Sequence, residues 1–484
     1  MKLSLEIKGT KILLLGYGRE GQSTHRFLIN NYPGVKISIT DEKDVRPVAT
    51  TENIWNGADY LKHLDGFTTV IRSPGIPAHL HELKNFQKSG GWVTSATDIF
   101  FSVCPGKTIG ITGTKGKSTT SALIADILAT KYSDVRLAGN IGNPMLDALD
   151  GASERSIFVI ELSSHQLEDA RFSPHVAVIL NIVPEHLDYY KNFSAYKRAK
   201  SHIVTFQNPA NAVIFNPSHQ TAAEISQVSK GKKYEFSLEA RDGSVTWVDK
   251  NKIYSKIAEE TRFIINTDEI SLIGNLENIL AAITVGALYG VPAEKIGEAV
   301  TTFKALPHRL ELVGEFKGRI FYNDSLATIP EATMHALDAL GENVETLLVG
   351  GFDRGLDYTE LGVYLAHRRG LKNLVLFRDT GKRIWTAIQS ASSKPPYRHS
   401  RESGNPVFSG DSGSPYQSTG QAPAGMTKIN KFDVSSMEEA VQLAFKKTSP
   451  GKICLLSPAS ASYNLFRDYA ERGDRFKEFI RKYK

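Results

Sequence analysis

The sequence contains few cysteines, no long apolar run and no dense block of one charge. Its 484 residues include only two cysteines, Cys104 and Cys454, so disulfide bonds are excluded as the basis of the fold. No apolar run is long enough to span a bilayer, and the first residues lack the apolar core of a signal peptide. We therefore expect a cytoplasmic protein without membrane contact. The net charge of +6 is spread along the chain, which argues against nucleic acid and suits an anionic small substrate.

What the sequence does contain is a regular alternation of strand and helix signals. Short apolar runs, such as residues 11–15 and 156–160, are followed by turn residues and then by helical segments. This alternation predicts an α/β fold with parallel sheets, and the length predicts two or three domains. Residues 392–428 are rich in Ser, Gly and Pro and poor in aliphatic residues, which predicts a disordered, low-complexity surface insertion.

A first glycine loop follows the first predicted strand. Gly16, Gly18 and Gly21 have the spacing G-x-G-x-x-G, and Asp41 stands at about the distance expected in a dinucleotide-binding motif. Glycines there permit a tight turn and let a diphosphate approach N–H groups at a helix N-terminus. The motif alone is compatible with a dehydrogenase, with another nucleotide diphosphate ligand, or with a purely structural turn.

A second glycine loop, residues 110–120, reads GITGTKGKSTT. It ends in the Gly116, Lys117 and Ser118 of a phosphate-binding loop, although Ile111 stands where the usual pattern has its first glycine. In such a loop the backbone N–H groups cradle phosphates, the lysine reaches the β/γ oxygens and the hydroxyl reaches Mg²⁺. Two glycine loops favour two phosphorylated ligands, a triphosphate and a nucleotide-linked substrate, and this weakens the dehydrogenase interpretation.

Two side chains suited to metal binding follow predicted buried strands. Glu161 comes directly after one strand, and His186 follows the next. Because the carboxyl ends of parallel strands form the ligand crevice, a carboxylate and an imidazole there could hold divalent cations beside phosphates. Taken singly, each residue could equally be a helix cap or a surface group.

These motifs together resemble the Mur ligase family, the ATP-dependent amide ligases that build the peptidoglycan stem peptide. The resemblance covers nearly the whole chain, and the family loop G-x-T-G-T/S-x-G-K-S/T places its first glycine at Gly110. It implies three domains: a Rossmann-like UDP-sugar-binding domain at 1–104, a central P-loop ATPase domain at 105–306, and a C-terminal Rossmann-like α/β domain at 307–484. It also implies that ATP activates the carboxylate of UDP-N-acetylmuramoyl-L-alanine as an acyl phosphate, which the amine of glutamate attacks.

The resemblance assigns roles to matched positions. It makes Lys117, His186 and Lys200 the catalytic residues, and it implies that Lys200 is carbamylated and helps to place the second of two Mg²⁺ ions. The implied metal positions are Ser118, Glu161, His186 and Lys200, and the implied amino-acid positions are Thr328, Arg354, Ser462 and Tyr469. The implied ATP positions are Gly113, Thr114, Lys115, Gly116, Lys117, Ser118, Thr119, Asn275, Asn278, Arg309 and Asp324. The implied UDP-sugar positions are Gly16, Tyr17, Gly18, Asp41, Ser73, Asn140, Ser163 and Gln166.

Four positions depart from the family pattern: Gly274 replaces a histidine, and the other three concern the incoming glutamate. Leu326 stands where a lysine helps to hold the incoming glutamate, Arg354 replaces a lysine that meets its side-chain carboxylate, and Tyr469 replaces a phenylalanine. The arginine at position 354 can still bind the side-chain carboxylate of glutamate, through a bidentate contact. D-Glutamate is thus the expected acceptor, with L-glutamate or another amino acid as alternatives, and a non-catalytic UDP-sugar-binding homologue as a further one. We expect a monomer.

Overall fold

The computed structural model describes residues 11–45, 48, 50–185, 189–257, 260–270, 276–304, 307–391, 429–463 and 465–484. The chain divides into two compact units, Met1–Phe303 and Lys304–Lys484. The described residues form two sheets in the first unit and one in the second. His186, Asn275 and the 392–428 insertion lie outside the described residues. The three domain boundaries drawn from the sequence remain predictions.

The first sheet has five parallel strands in the order β3-β2-β1-β4-β5. The chain moves outward from β1 to β3 and then returns to β4 on the other side of β1, so a ligand crevice is expected where β1 and β4 end. The strands are β1 (Lys11–Leu15), β2 (Lys36–Asp41), β3 (Ile54–Asn56), β4 (Thr69–Arg72) and β5 (Trp92–Ser95), and the helices are α1 (Arg19–Asn31), α2 (His81–Lys88) and α3 (Ala96–Val103).

The second sheet has nine strands in the order β14-β13-β12-β11-β10-β9-β6-β8-β7. Strands β6 to β12 pair in parallel, and β12, β13 and β14 form an antiparallel edge. The strands are β6 (Lys107–Thr112), β7 (Val135–Gly139), β8 (Ile157–Glu161), β9 (Val176–Ile179), β10 (Ala212–Phe215), β11 (Lys232–Ser237), β12 (Ser244–Asp249), β13 (Lys252–Ile257) and β14 (Glu260–Asn266). The helices are α4 (Lys117–Ala129), α5 (Ser164–Leu167), α6 (Phe193–Thr205), α7 (Gln220–Val228), α8 (Leu276–Leu288) and α9 (Ala293–Thr302).

The sheet of the second unit has the order β15-β16-β20-β17-β18-β19, and only β15 runs antiparallel to its neighbour. Its strands are β15 (Glu311–Phe316), β16 (Arg319–Asn323), β17 (Val344–Gly351), β18 (Asn373–Asp379), β19 (Asn430–Val434) and β20 (Ile453–Leu456). Its helices are α10 (Pro330–Leu340), α11 (Thr359–Ala366), α12 (Thr380–Ser390), α13 (Met437–Lys447) and α14 (Tyr469–Lys482).

Burial explains why the apolar runs become parallel strands. Every residue of β8 and β9 is buried, as expected for strands covered on both faces. In the first unit, one apolar cluster includes side chains of both sheets, and the rings of Phe100 and Phe158 lie 5.3 Å apart within it. The predicted α/β class with parallel sheets is confirmed. In the part of the chain that the structure describes, no helix combines the length and the apolar character needed to cross a membrane.

Candidate active site

The first glycine loop, residues 16–21, lies at the carboxyl end of β1 and lines a cavity of about 520 Å³. Gly16 has a φ of +92°, and a Cβ built there would lie 2.8 Å from Cβ and Oγ of Ser73. The hydroxyl of Ser73 donates a hydrogen bond to the carbonyl oxygen of Gly16 at 2.9 Å. A Cβ at Gly21 would lie 2.3 Å from the same carbonyl oxygen. The loop therefore needs glycine at both positions, because its backbone turns sharply and packs closely.

Asp41, at the end of β2, fastens this loop. Its carboxylate accepts hydrogen bonds from the backbone N–H groups of Tyr17 at 2.6 Å and Lys43 at 2.8 Å. The hydroxyl of Tyr17 is hydrogen-bonded to Nδ1 of His25 at 2.6 Å. Five of the predicted UDP-sugar positions line the cavity together: Gly16, Gly18, Asp41, Ser73 and Asn140.

Asn140 connects this cavity to the second sheet. It follows β7, and its Nδ2 donates to Oε1 of Glu161 at 2.8 Å. Glu161 ends β8 and is 1% exposed. Its Oε2 is buried and has no hydrogen-bond partner among the described residues. A buried carboxylate oxygen that no protein group satisfies suits a hard cation such as Mg²⁺.

The second glycine loop joins β6 to α4, next to the carboxyl ends of β8 and β9. Gly116 has a φ of +84°, and a Cβ there would lie 2.2 Å from Oδ1 of Asn278 in α8. The loop is also tied to the segment after β9, because Thr114 Oγ1 accepts from the N–H of Val183 and donates to its carbonyl oxygen, both at 2.9 Å. Thr114 and the exposed Lys115 are thus part of this loop, and Asn278 packs against it.

Two lysines approach one carbonyl group of the second glycine loop. Nζ of Lys117 donates to the carbonyl oxygens of Gly113 and Thr114 at 3.0 Å each. Nζ of Lys200, in α6, donates to the same Gly113 oxygen at 2.9 Å. Lys200 is 1% exposed, and its burial, followed by the charge of Lys117, holds its pKa well below the usual lysine value.

The described residues do not form a complete protein cage for a metal ion. Across the described ranges, no group of three or more His, Cys, Asp or Glu side chains is placed to hold one. Ser118, which is buried in the first turn of α4, and Glu161 are the described metal candidates that carry oxygen ligands. Mg²⁺ bound to a nucleotide usually takes one or two protein ligands, with waters and phosphate oxygens at the other positions. This donor set therefore fits a phosphate-bound Mg²⁺.

The segment after β8 meets the first glycine loop. Ser163 and Gln166 form a capping box at the N-terminus of α5, in which each side chain accepts the other residue's backbone N–H. Nε2 of Gln166 also donates to Oε1 of Glu20 at 2.6 Å. Glu20 lines the cavity, and burial raises the pKa of its carboxyl group. Sequence reasoning missed Glu20, whose only signal was a charged residue between two glycines of the loop.

In the second unit, the predicted ATP and amino-acid positions lie around the carboxyl end of its sheet. The carboxyl group of Asp324 accepts from Ser457 Oγ at 2.8 Å and from the Leu310 N–H at 3.1 Å. Burial raises its pKa to about 7, while the nearby charge of Arg309 acts in the opposite direction. Nη2 of the exposed Arg354 donates to the Thr328 carbonyl oxygen at 3.0 Å.

The remaining acceptor positions belong to neighbouring loops of the same unit. The N–H of Phe352 donates to the Ala461 carbonyl oxygen at 2.9 Å, which brings the Arg354 loop beside Ser462. Ser325 Oγ donates to the Tyr469 carbonyl oxygen at 2.7 Å, which brings the start of α14 beside the half-buried Leu326.

Arg472 is a second residue that sequence reasoning missed. It is 1% exposed and donates to Ser325 Oγ, to the Ser325 carbonyl oxygen and to the Ser460 carbonyl oxygen at 2.8–3.0 Å. It thereby joins the loop that carries Asp324 to the loop that carries Ser462. In the sequence, an arginine in a polar C-terminal helix gave no sign of burial.

Residues 111–286 match the family model described as the Mur ligase middle domain. The chain is 31% identical to UDP-N-acetylmuramoylalanine–D-glutamate ligase of Acetivibrio thermocellus over 98% of this chain and 97% of that protein. It is 32% identical to the enzyme of the same name from Koribacter versatilis, over 99% and 98% of the two chains.

Two solved structures share the fold at low sequence identity. MurF from Acinetobacter baumannii matches with a TM-score of 0.55 and 17% identity, over 99% of this chain and 93% of that one. UDP-N-acetylmuramate–alanine ligase from Thermotoga maritima matches with a TM-score of 0.53 and 14% identity, over 98% and 100%.

Proposed function

The chain belongs to the Mur ligase family, and we propose that it joins D-glutamate to UDP-N-acetylmuramoyl-L-alanine at the expense of ATP. The observation that carries this proposal is the hydrogen bond between Asn140 and Glu161, at 2.8 Å. It links a cavity suited to a nucleotide diphosphate with the buried carboxylate beside the second glycine loop. The two relatives described above, which are similar to this chain over nearly their whole length, are named as ligases that catalyse this reaction.

The chemistry begins with a carboxylate, which is a poor electrophile at neutral pH. Transfer of the γ-phosphoryl group of ATP to the alanyl carboxylate forms an acyl phosphate, and the amine of glutamate then displaces phosphate. The positive charge of Lys117 stabilises the phosphoryl group during its transfer. Ser118 and Glu161 would hold Mg²⁺, which when bound neutralises charge on the phosphate oxygens. Thr114 and Asn278 support the backbone conformation in which the loop N–H groups face phosphate.

Lys200 is proposed to act as a carbamate that helps to hold a second Mg²⁺ together with His186. Its low pKa favours the neutral amine, and only the neutral amine has a lone pair that can attack carbon dioxide. The new N–C bond forms as one amine proton leaves, and an anion replaces the amine. That change places an anion beside the cationic Lys117, because both side chains approach the Gly113 carbonyl group.

The incoming glutamate is assigned to the second unit. Arg354 is exposed, and its planar guanidinium can bind a side-chain carboxylate through two N–H groups. Thr328, Ser462 and Tyr469 are the other proposed contacts, and Arg309 and Asp324 are proposed to contact ATP. Leu326 cannot supply the charge of a lysine, and this observation favours one alternative, a different acceptor amino acid. The proposal also includes a monomer working in the cytoplasm.

Phosphate release tests the proposal directly. The reaction contains ATP, Mg²⁺ and UDP-N-acetylmuramoyl-L-alanine, with D-glutamate, L-glutamate or another amino acid supplied separately and a control without the UDP-sugar. We expect release only when the UDP-sugar and D-glutamate are both present. Turnover with L-glutamate alone would identify L-glutamate as the acceptor, and Leu326 would then be the sequence feature associated with that specificity. Absence of turnover with every amino acid would overturn the proposed ligase activity and favour a binding homologue.

A further inference from the structure

Arg72 is a buried arginine that lies between the cavity wall and the second sheet. It ends β4 and is 1% exposed. Its Nε and Nη2 donate to the two carboxylate oxygens of Asp169, at 3.3 and 2.6 Å. Asp169 follows α5, 97 residues further along the chain. Such a two-point contact fixes the orientation of the guanidinium as well as its position.

The third nitrogen of Arg72 serves the turn that follows it. Nη1 donates to the carbonyl oxygens of Ser73 at 3.3 Å and Pro74 at 3.5 Å, and also to that of Ile76. Residues 73–76 all line the 520 Å³ cavity. One guanidinium therefore holds three carbonyl groups of the cavity wall and one carboxylate of the α5 segment.

Other contacts join the same two regions. Oε2 of Glu168 accepts from the Ala78 N–H at 3.4 Å, and Gln166 donates to Glu20 at 2.6 Å. The α5 segment, residues 161–169, thus contacts the first glycine loop through Gln166 and the turn after β4 through Glu168. It also carries Glu161, which the proposed function assigns to Mg²⁺, and Ser163 and Gln166, which are predicted UDP-sugar positions.

We propose that Arg72 is a positioning residue for the UDP-sugar: by clamping the 73–76 turn to Asp169, it holds the two walls that contact the substrate at one fixed separation. This inference rests on the proposed function, which assigns the UDP-sugar to this cavity. Removing the clamp leaves every direct contact residue in place but lets the two walls adopt several separations. A displacement of about 1 Å in such a site can lower the reaction rate by up to about 100-fold.

The test compares a single and a double variant. Arg72→Met removes all donors and leaves the Asp169 carboxylate without its partner, so we expect a lower Tm and a KM for the UDP-sugar raised about tenfold or more. Arg72→Met with Asp169→Leu replaces the ion pair by apolar side chains, and such replacements usually restore stability. We expect its Tm to recover while its KM for the UDP-sugar stays high, since Met cannot hold the three carbonyl groups. The KM for ATP should stay within about twofold of the wild-type value in both variants.

A purely structural role predicts a different result. In that case the KM for the UDP-sugar would recover together with Tm in the double variant, and the positioning role would be overturned. Arg72→Lys, which keeps the charge but not the planar fork, should give an intermediate KM. If Arg72→Met does not fold, Asp169→Asn weakens the clamp and leaves Arg72 in place. Its KM for the UDP-sugar should then rise while its KM for ATP stays within about twofold of the wild-type value, and an unchanged KM for the UDP-sugar would overturn the positioning role.

Arg26→Met is the matched control. Arg26 also pairs with an aspartate of the same unit, Asp147, at 2.6 Å, but both side chains are partly exposed and neither lines the cavity. Its KM values should match those of the wild type. Wild-type turnover with an unchanged KM in the Arg72 variants would overturn the inference alone. Absence of wild-type turnover with the UDP-sugar would overturn the proposed function and the inference with it.

Discussion

The two glycine loops of the first unit share a backbone plan and differ in the charges around them. Both follow a buried parallel strand and lead into a helix of 13 residues. At the first loop, the Asp41 carboxylate accepts the N–H of Tyr17, and the half-buried Glu20 belongs to the same loop. At the second, the Nζ atoms of Lys117 and Lys200 both donate to the Gly113 carbonyl oxygen.

This difference shows that glycine spacing determines the shape of the turn, while the surrounding charges select the ligand. A loop fastened by a carboxylate suits a ligand with few negative charges or with hydroxyl donors, such as a sugar nucleotide. The second loop contains Lys115 and Lys117, and their positive charge suits the higher negative charge of a triphosphate.

Removing the cation of the second loop should have the largest effect. Lys117→Ala should lower kcat by about 100- to 1,000-fold, because charge develops on the phosphoryl group that this lysine is proposed to contact. Binding of the UDP-sugar, measured by calorimetry, should be unchanged. The control is Lys131→Ala, since Lys131 lies just beyond the same helix and donates to the Tyr289 and Gly290 carbonyl oxygens. Near-normal phosphate release in Lys117→Ala would contradict the assignment.

Lys200→Ala should have a smaller and partly reversible effect. If a carbamate acts there, kcat should fall by about 100-fold, and short carboxylic acids such as formate or acetate should restore part of it. Lys197→Ala, on the same helix with its lysine paired to Glu224, should be active without added acid. Loss without any rescue, or full activity without added acid, would count against a carbamate.

Changing the first loop should have the smallest effect and should concern only the UDP-sugar. Asp41→Ala removes two charge-assisted hydrogen bonds to backbone N–H groups, so the KM for the UDP-sugar should rise about tenfold. Asp41→Asn keeps one acceptor oxygen and should be milder, and Asp44→Ala is the exposed control. An equal rise in the KM for ATP would mean that the two loops are not functionally separate.

The sequence was sufficient for the features that depend on local pattern. Gly16 and Gly116 could be predicted because their motif spacing is typical of turns in which a positive φ requires glycine. Glu161 could be predicted because it directly follows an apolar strand. Lys200 had the pattern of a solvated helix residue, and only the family resemblance singled it out; its burial is produced by the second glycine loop, 87 residues earlier. Arg72 gave no sequence signal, since its partner Asp169 is 97 residues away. Such residues become visible only when tertiary contacts are known.

The strand order of the second sheet has a consequence for synthesis of the chain. Strand β6, which leads into the second glycine loop, pairs with β8 and β9 and not with its immediate successor β7. The loop is then fastened by the Asn181 carbonyl oxygen and by Val183. During translation, a nascent chain that has passed residue 120 therefore carries the complete motif but not the strands that shape it. Asn278 of α8 also packs against Gly116. The loop can therefore reach its final conformation only after about 160 further residues have been added, well after the motif itself has been synthesised.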